Sequence, residues 1–211
     1  MLARNIETVA QTRALISELT QRLGRKLIVA VDHEGGWVLR FKRGVTPFPG
    51  NCALGRAGDE RLAYATGRQM ALELRPLGIE LNLAPVLDVL TGRYNPGIGI
   101  RSFGQDPHLV GKLGAAMIHG MQDHGVAACA KHFPGKGAAA VDAHVEQPTI
   151  RIPKDKFEKT HLRPFKEAVD AGVACIMTSH VRYPALDKAT ATFSPKITRD
   201  LLRRRLGFNG V

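Results

Sequence analysis

The sequence has little of what marks membrane-spanning or secreted proteins. No apolar stretch approaches the ~20 residues that a transmembrane helix needs, so we expect no membrane span. The first residues, MLARN, contain no apolar signal-peptide core, which favours a cytoplasmic location. Only three cysteines are present, at positions 52, 129 and 175, and none forms a CxxC pair. Their odd number argues against a disulfide framework.

Aromatic residues make up only 6% of the chain, and acidic residues are outnumbered by basic ones. The 30 lysines and arginines exceed the 19 acidic residues and give a net charge of +11. Such an excess can indicate a polyanionic partner. However, the densest basic cluster, at 199–205, is interspersed with leucines at helical spacing and predicts a solvated helix face. Since no basic stretch is interleaved with aromatic residues, we expect no nucleic-acid partner.

What remains is an ordinary globular composition arranged as alternating helix and strand patterns. The predicted helices are 6–23, 61–74, 108–124, 157–171 and 194–206, the last capped by Ser194. The predicted strands are the apolar runs 27–31, 79–86, 126–130 and 173–177, and 207–211 predicts a turn leading into another strand. This order predicts an α/β fold with a parallel sheet, either a (β/α)8 barrel or a doubly wound sheet.

Polar residues follow every predicted strand at its carboxyl end. They are Asp32, His33 and Glu34, then Asp88, then Lys131 and His132, and finally Ser179 and His180. One such residue could simply cap a helix, but four sets in register are harder to explain that way. Because active sites of parallel α/β folds lie at this edge of the sheet, the pattern predicts a functional site there.

The segment AKHFPGKG at 130–137 is followed by Asp142 and His144, which are two positions apart. A carboxylate beside an imidazole fixes its tautomer and raises its pKa, so that the imidazole can deliver a proton near neutral pH. Taken alone, the pair is a weak signal, more typical of an exposed polar loop whose histidine has no role.

The segment VDHEGGWVLRF at 31–41 has side chains suited to a hydroxylated ligand. Asp32 can accept two hydrogen bonds from vicinal hydroxyl groups, and Arg40 can donate to a carbonyl or hydroxyl oxygen. Trp37 can stack on a sugar ring or pack against the protein, and the sequence does not decide between these. In the glycine-rich segment NPGIGIRSFGQDP at 95–107, which matches no phosphate-binding motif, Arg101 is the residue most able to hold a ligand.

A metal site is the other chemistry that these residue types permit. The candidate ligands are His132, His144, His180 and Asp142. No HxH or HExxH motif is present, and Lys131 places a positive charge beside one of these histidines. We therefore predict neither a metal ion nor another cofactor.

Together, the three segments resemble bacterial β-N-acetylhexosaminidases of glycoside hydrolase family 3. That family shows V-D-x-E-G-G-x-V-x-R-F, R-S-[FY], and K-H-F-P-G-H-G followed by D-S-H, and the order and spacing agree over nearly the whole chain. The resemblance implies a sugar site formed by Asp32, Arg40, Arg101, Lys131, His132 and His180, and a dyad of Asp142 and His144 with His144 as general acid/base. This chain departs from the family pattern at His33 (usually glutamine), Trp37 (arginine), Lys136 (histidine) and Ala143 (serine).

The activity implied by the resemblance is retaining hydrolysis of terminal non-reducing β-linked N-acetylglucosamine, in the cytoplasmic recycling of cell-wall muropeptides. Two alternatives stay open. One is phosphorolysis, since a histidine acid/base repels an anionic acceptor less than a carboxylate does. The other is a non-catalytic sugar-binding module.

The resemblance also implies a first barrel strand before Met1 and a nucleophilic aspartate, in an S-D-D segment, after Val211. We therefore expect residues 1–211 to form a single partial (β/α)8 barrel domain with strands two to five and the start of strand six. On this expectation, the chain by itself has little or no activity.

Overall fold

The computed structural model describes residues 4–92, 95–141 and 145–211. Its four parallel strands form one sheet in which spatial order follows chain order. The strands are β1 (Ala30–Val31), β2 (Leu81–Asn82), β3 (Ala127–Phe133) and β4 (Cys175–Thr178). Parallel neighbours need long crossover connections, which helices supply here. The predicted α/β fold with a parallel sheet is confirmed.

Helices occupy the connections between the strands. They are α1 (Val9–Leu23), α2 (Asn51–Ala57), α3 (Glu60–Leu74), α4 (Pro107–Gln122), α5 (Lys154–Phe157) and α6 (Arg163–Asp170). A π-helical turn, Glu158–Leu162, joins α5 to α6, and the last helix, Lys196–Arg205, also has π-type geometry. Among the described residues, no helix has both the length and the apolar character needed to cross a bilayer.

Side-chain chemistry explains where several helices begin and end. Asp106 Oδ1 accepts a hydrogen bond from His108 N at 2.8 Å and so caps α4. Ser194 Oγ accepts from Ile197 N at 3.2 Å, as predicted for the start of the last helix. At the other end of α1, Gly24 adopts a left-handed conformation with φ of 60°, which a residue with a Cβ atom adopts only at a cost.

The first two strands are shorter than the apolar runs that predict them. Hydrogen bonding still continues beyond β1 and β2, because Leu83 N donates to Val31 O at 2.8 Å. Pro85 has no N–H group to donate, but its carbonyl oxygen still accepts from Lys131 N at 3.1 Å, so hydrogen bonding to β3 continues. The helix Asn51–Ala57 is absent from the prediction because its seven residues carry too few apolar positions to show a helical period.

Two apolar clusters hold the layers together. The larger one packs α4, α6 and the last helix against the sheet, and the smaller one packs α1 and α3 against β1 and against residues that lead into β2 and β3. Helices α3 and α4 meet backbone to backbone, because a Cβ atom on Gly120 would lie 2.1 Å from the carbonyl oxygen of Tyr64. The predicted extension beyond β4 is also present: Val211 N donates to Ala174 O at 3.1 Å, and Ile176 N donates to Val211 O at 2.9 Å.

Candidate functional site

A cleft of about 400 Å³ opens at the carboxyl ends of the strands. Its lining is mostly polar and consists of Asp32, Glu34, Val38, Arg40, Arg101, Lys131, His132, Lys136, Met177, Thr178, Ser179 and His180. All six side chains that the sequence assigns to a sugar site lie in this set. The parallel sheet therefore brings together residues separated by up to 148 positions, from Asp32 to His180 (180 − 32).

Lys131 lies at the centre of a buried ion cluster in the cleft wall. Its side chain is 2% exposed, and Nζ lies 2.9 Å from Asp32 Oδ1 and 2.6 Å from Glu34 Oε1. A buried ammonium group is tolerated only when opposite charges and hydrogen bonds replace its hydration. The two carboxylates supply both, and they fix the position of the lysine.

Glu34 also accepts a two-pronged hydrogen bond from Arg101. The Nε–Oε2 and Nη2–Oε1 distances are both 2.8 Å. Burial raises the pKa of Glu34, but the hydrogen bond from Arg101 and the positive charge of Lys131 outweigh it and hold the pKa below its ordinary value. Glu34 is therefore an ionised structural bridge between two cations, a geometry that paired N–H donors and a carboxylate favour.

Asp32 is the member of this cluster that is best placed to meet a ligand. Its side chain is 14% exposed, against 3% for Glu34. Oδ1 receives the Lys131 hydrogen bond, while Oδ2 lies 3.7 Å from Arg40 Nη2, beyond hydrogen-bond distance. Asp32 therefore keeps acceptor capacity toward the cleft, between two cationic groups.

A second buried carboxylate, Asp88, organises the other side of the cleft. Its Oδ2 lies 2.7 Å from His132 Nδ1, and its Oδ1 accepts from Lys136 N at 2.6 Å. Burial raises the pKa of Asp88, but its interaction with His132 and the nearby charge and backbone N–H of Lys136 outweigh this effect and hold the pKa below its ordinary value. Burial lowers the pKa of His132 to about 4 against the opposing effect of Asp88. At neutral pH, His132 is neutral and donates through Nδ1, which leaves Nε2 as an acceptor.

Strand β3 presents two consecutive side chains to the same cleft. Regular alternation would send Lys131 and His132 to opposite faces of the sheet. The β3–β4 register shifts between Lys131 and Phe133, an irregularity of the kind that re-aims side chains beside functional sites. As a result, both polar side chains line the cleft.

The loop after β3 is held through its backbone, by a hydrogen bond from a tyrosine side chain and by close contact with a neighbouring segment. Tyr183 OH donates to Gly135 O at 3.1 Å and lies 2.9 Å from Ser179 Oγ. A Cβ atom on Gly137 would lie 1.9 Å from Val89 O, so only glycine fits there. The loop leads toward the predicted dyad, but Asp142 and His144 lie outside the described residues.

His180 closes the cleft from the end of β4. Its Nδ1 lies 3.0 Å from Thr192 Oγ1, and the same hydroxyl group lies 3.0 Å from Thr178 Oγ1. In the part of the chain that the structure describes, no three metal-ligating side chains are gathered into one group.

The sequence analysis places Glu34 and Asp88 after strands but assigns them no individual role, and it treats Lys136 only as a departure from a family pattern. The position of Glu34 and Asp88 after a strand is the one sequence feature that indicates a place in the site. Their partners could not be read from the sequence, because Asp88 and His132 are 44 positions apart and Glu34 and Arg101 are 67 apart.

Comparisons with known proteins show the family of this chain. The model of the glycosyl hydrolase family 3 N-terminal domain matches residues 1–211. The beta-hexosaminidase of Thiobacillus denitrificans is 41% identical over all of this chain and 60% of its own length, and that of Hydrogenovibrio crunogenus is 39% identical with the same coverage. The chain thus spans about three fifths of the length of these curated relatives.

Solved structures give the same result. A glycoside hydrolase family 3 β-N-acetylglucosaminidase from a Paenibacillus species superimposes with a TM-score of 0.96 and 43% identity, over 99% of this chain and 41% of that one. NagZ from Neisseria gonorrhoeae in complex with N-trifluoroacetyl-D-glucosamine superimposes with a TM-score of 0.93 and 38% identity, over 100% of this chain and 64% of that one. The chain belongs to glycoside hydrolase family 3 and has the fold of its N-terminal domain.

Proposed function

We propose that the cleft binds the non-reducing terminal N-acetylglucosamine unit of a β-linked glycan, and that the protein hydrolyses the bond to this unit with retention of configuration. The observation that carries the proposal is the Asp32 carboxylate, partly exposed between Lys131 and Arg40 at the carboxyl edge of the sheet. The similarity to NagZ, which was solved with an N-acylated glucosamine, supports the choice of sugar.

The described residues would bind and orient the sugar. Asp32 accepts hydrogen bonds from vicinal hydroxyl groups, and Arg40 and Lys131 donate to sugar oxygens. Neutral His132 accepts through Nε2, because Asp88 holds its Nδ1 proton. Since Asp32 and Lys131 are already fixed by an ion pair, and His132 by its hydrogen bond to Asp88, little ordering of these side chains is required on binding.

The chemical step in this proposal depends on His144, with Asp142 orienting its imidazole. A carboxylate nucleophile attacks the anomeric carbon while His144 donates a proton to the leaving oxygen, which gives a covalent glycosyl-enzyme. His144 then takes a proton from water, whose oxygen attacks the anomeric carbon and breaks its bond to the carboxylate, so that the sugar and the free carboxylate are released. The acid and the base are thus the same imidazole at successive steps.

Two measurements test this proposal. Isothermal titration of the 211-residue chain with N-acetylglucosamine is expected to give heat of binding, and glucose, which lacks the acetamido group, is expected to bind more weakly. The longest native polypeptide that contains this sequence is expected to hydrolyse 4-nitrophenyl N-acetyl-β-glucosaminide. Absence of binding at millimolar sugar would overturn the site, and absence of turnover would overturn the hydrolase.

The same measurements distinguish hydrolysis from the two alternatives, phosphorolysis and a non-catalytic sugar-binding module. Formation of N-acetylglucosamine 1-phosphate when phosphate is added would identify phosphorolysis. Binding of N-acetylglucosamine without turnover by the native polypeptide would identify a sugar-binding module.

The natural substrates in this proposal are muropeptides that carry terminal N-acetylglucosamine, and the location is the cytoplasm, where their recycling takes place. Both follow from the family resemblance. Release of N-acetylglucosamine from purified muropeptides, and recovery of the protein in the cytoplasmic fraction of its native cells, are the expected results.

A further inference from the structure

Trp37 is the only tryptophan in the chain, and its side chain is largely exposed, at 84%. A tryptophan that packed against the protein would remove much of its large apolar surface from water. The exposure excludes the packing alternative that the sequence leaves open. The fold instead leaves a large aromatic ring free to contact a ligand.

The backbone under Trp37 is a fixed tight turn. Glu34 N donates to Val38 O at 2.8 Å, and Val38 N donates to Gly35 O at 3.2 Å. Gly35 and Gly36 have φ of 95° and 58°, conformations that glycine adopts readily. The exposed ring is therefore attached to a turn whose backbone is fixed by its own hydrogen bonds.

This turn stands at the rim of the cleft. Glu34 and Val38, which flank it in the chain, both line the cleft. The backbone of Gly50 lies against Gly36 and against the carbonyl group of Ile100, so the turn is next to a second exposed apolar residue that directly precedes Arg101. Backbone segments that adjoin the cleft-lining residues thus carry two exposed apolar side chains, Trp37 and Ile100.

We propose that Trp37 is the stacking surface for the second pyranose ring of the substrate, next to the terminal N-acetylglucosamine. The inference rests on the proposed function and extends it to a substrate class, namely β-N-acetylglucosaminides whose next unit is also a pyranose, rather than glycosides with small leaving groups. The C–H face of a pyranose is apolar and carries partial positive charge, so it complements the negative face of an indole ring. The arginine that is usual at this position presents a charged fork and no such aromatic face.

Intrinsic fluorescence tests the proposal directly, because all tryptophan emission comes from Trp37. The ligands are N-acetylglucosamine and the sulfur-linked dimer N,N′-diacetylthiochitobiose, whose linkage resists hydrolysis. We expect the dimer, but not saturating monosaccharide, to protect Trp37 from quenching by acrylamide. Calorimetry with Trp37→Ala is expected to show the dimer bound about 3- to 10-fold more weakly, with monosaccharide affinity unchanged.

The variant Trp37→Phe keeps a flat ring and is expected to retain most of the dimer affinity, whereas Trp37→Arg is not. Thermal unfolding checks that the variants are folded. If the monosaccharide binds but Trp37→Ala binds the dimer as tightly as the wild type, the stacking role is overturned and the proposed function stands. If neither ligand binds the wild type, the proposed function itself fails. Protection of Trp37 that rises with protein concentration alone would assign the ring to contact between copies and overturn the proposal.

Discussion

His132 Nδ1 lies 2.7 Å from Asp88 Oδ2, so the imidazole at the end of β3 is held by a fully buried carboxylate that follows β2. The same carboxylate accepts from the backbone of Lys136. One buried group therefore fixes both a cleft side chain and the loop after it. Burial also keeps His132 neutral, with a pKa of about 4.

Stability is expected to fall steeply as the pH drops from about 6.5 to about 4. Burial lowers the pKa of His33, His132 and His161 to about 4, against an ordinary value of 6.5. In this range the unfolded chain binds up to three more protons than the folded one, so acid favours unfolding. Urea unfolding at several pH values measures the slope.

A matched pair of variants tests that account. His33→Gln removes one buried imidazole and is expected to reduce the slope by one proton, since His33 is 1% exposed and packs between Phe41 and Phe48. His119→Gln, on the exposed side of α4, is the control. An unchanged slope in His33→Gln would contradict the assignment.

Replacing Asp32 by asparagine is expected to weaken N-acetylglucosamine binding about 10- to 100-fold, because hydrogen bonds to a charged group contribute about 1.5–3 kcal/mol. The side chain keeps its shape but loses its charge. Calorimetry measures the change, and Asp170→Asn, which affects only a surface pair with Lys166, serves as the control. Equal affinity in both variants would remove Asp32 from the site.

Replacing Lys131 by methionine is expected to destabilise the protein by about 3–5 kcal/mol, since it leaves Asp32 and Glu34 without the ammonium group between them. Adding Glu34→Gln is expected to recover part of this loss. Urea unfolding of both single variants and the double variant gives the coupling energy. Additive losses would show that the lysine and Glu34 do not interact.

Replacing Gly120 by alanine is expected to cost about 1–3 kcal/mol, because the new methyl group would meet the carbonyl oxygen of Tyr64 and push α3 from α4. The sign of the change in the free energy of unfolding is informative, since alanine ordinarily stabilises a helix by about 1 kcal/mol relative to glycine. Thermal unfolding measures it. Lys112→Ala on the same helix, half exposed, is expected to change stability by less than about 0.5 kcal/mol.

The positions of the cleft residues follow from the sequence because strand ends of a parallel sheet share one edge. That rule places Asp32, Lys131 and His180 together without any knowledge of their contacts. It says nothing of which charges pair. The bridge from Glu34 to Arg101 depends on how closely the turn after β1 approaches the short helix Gly99–Arg101.

Other features depend on burial or on irregular backbone, which residue types alone do not encode. The π-helical turn at 158–162 keeps the same apolar pattern as an ordinary helix, so it has no distinct signature. The role of Trp37 stays undecided in the sequence, since stacking and packing use the same ring. Its exposure in the folded chain argues against packing, and stacking stays a proposal.

Because the spatial order of the strands follows their order in the chain, each strand pairs with one that has already been synthesised. A ribosome releases the chain from its amino end, at roughly 5–20 residues per second. β2 can therefore join β1, and β3 can join β2, without waiting for distant sequence. Translation itself can guide the assembly of this sheet, and the Asp88–His132 contact becomes possible only when the third strand emerges.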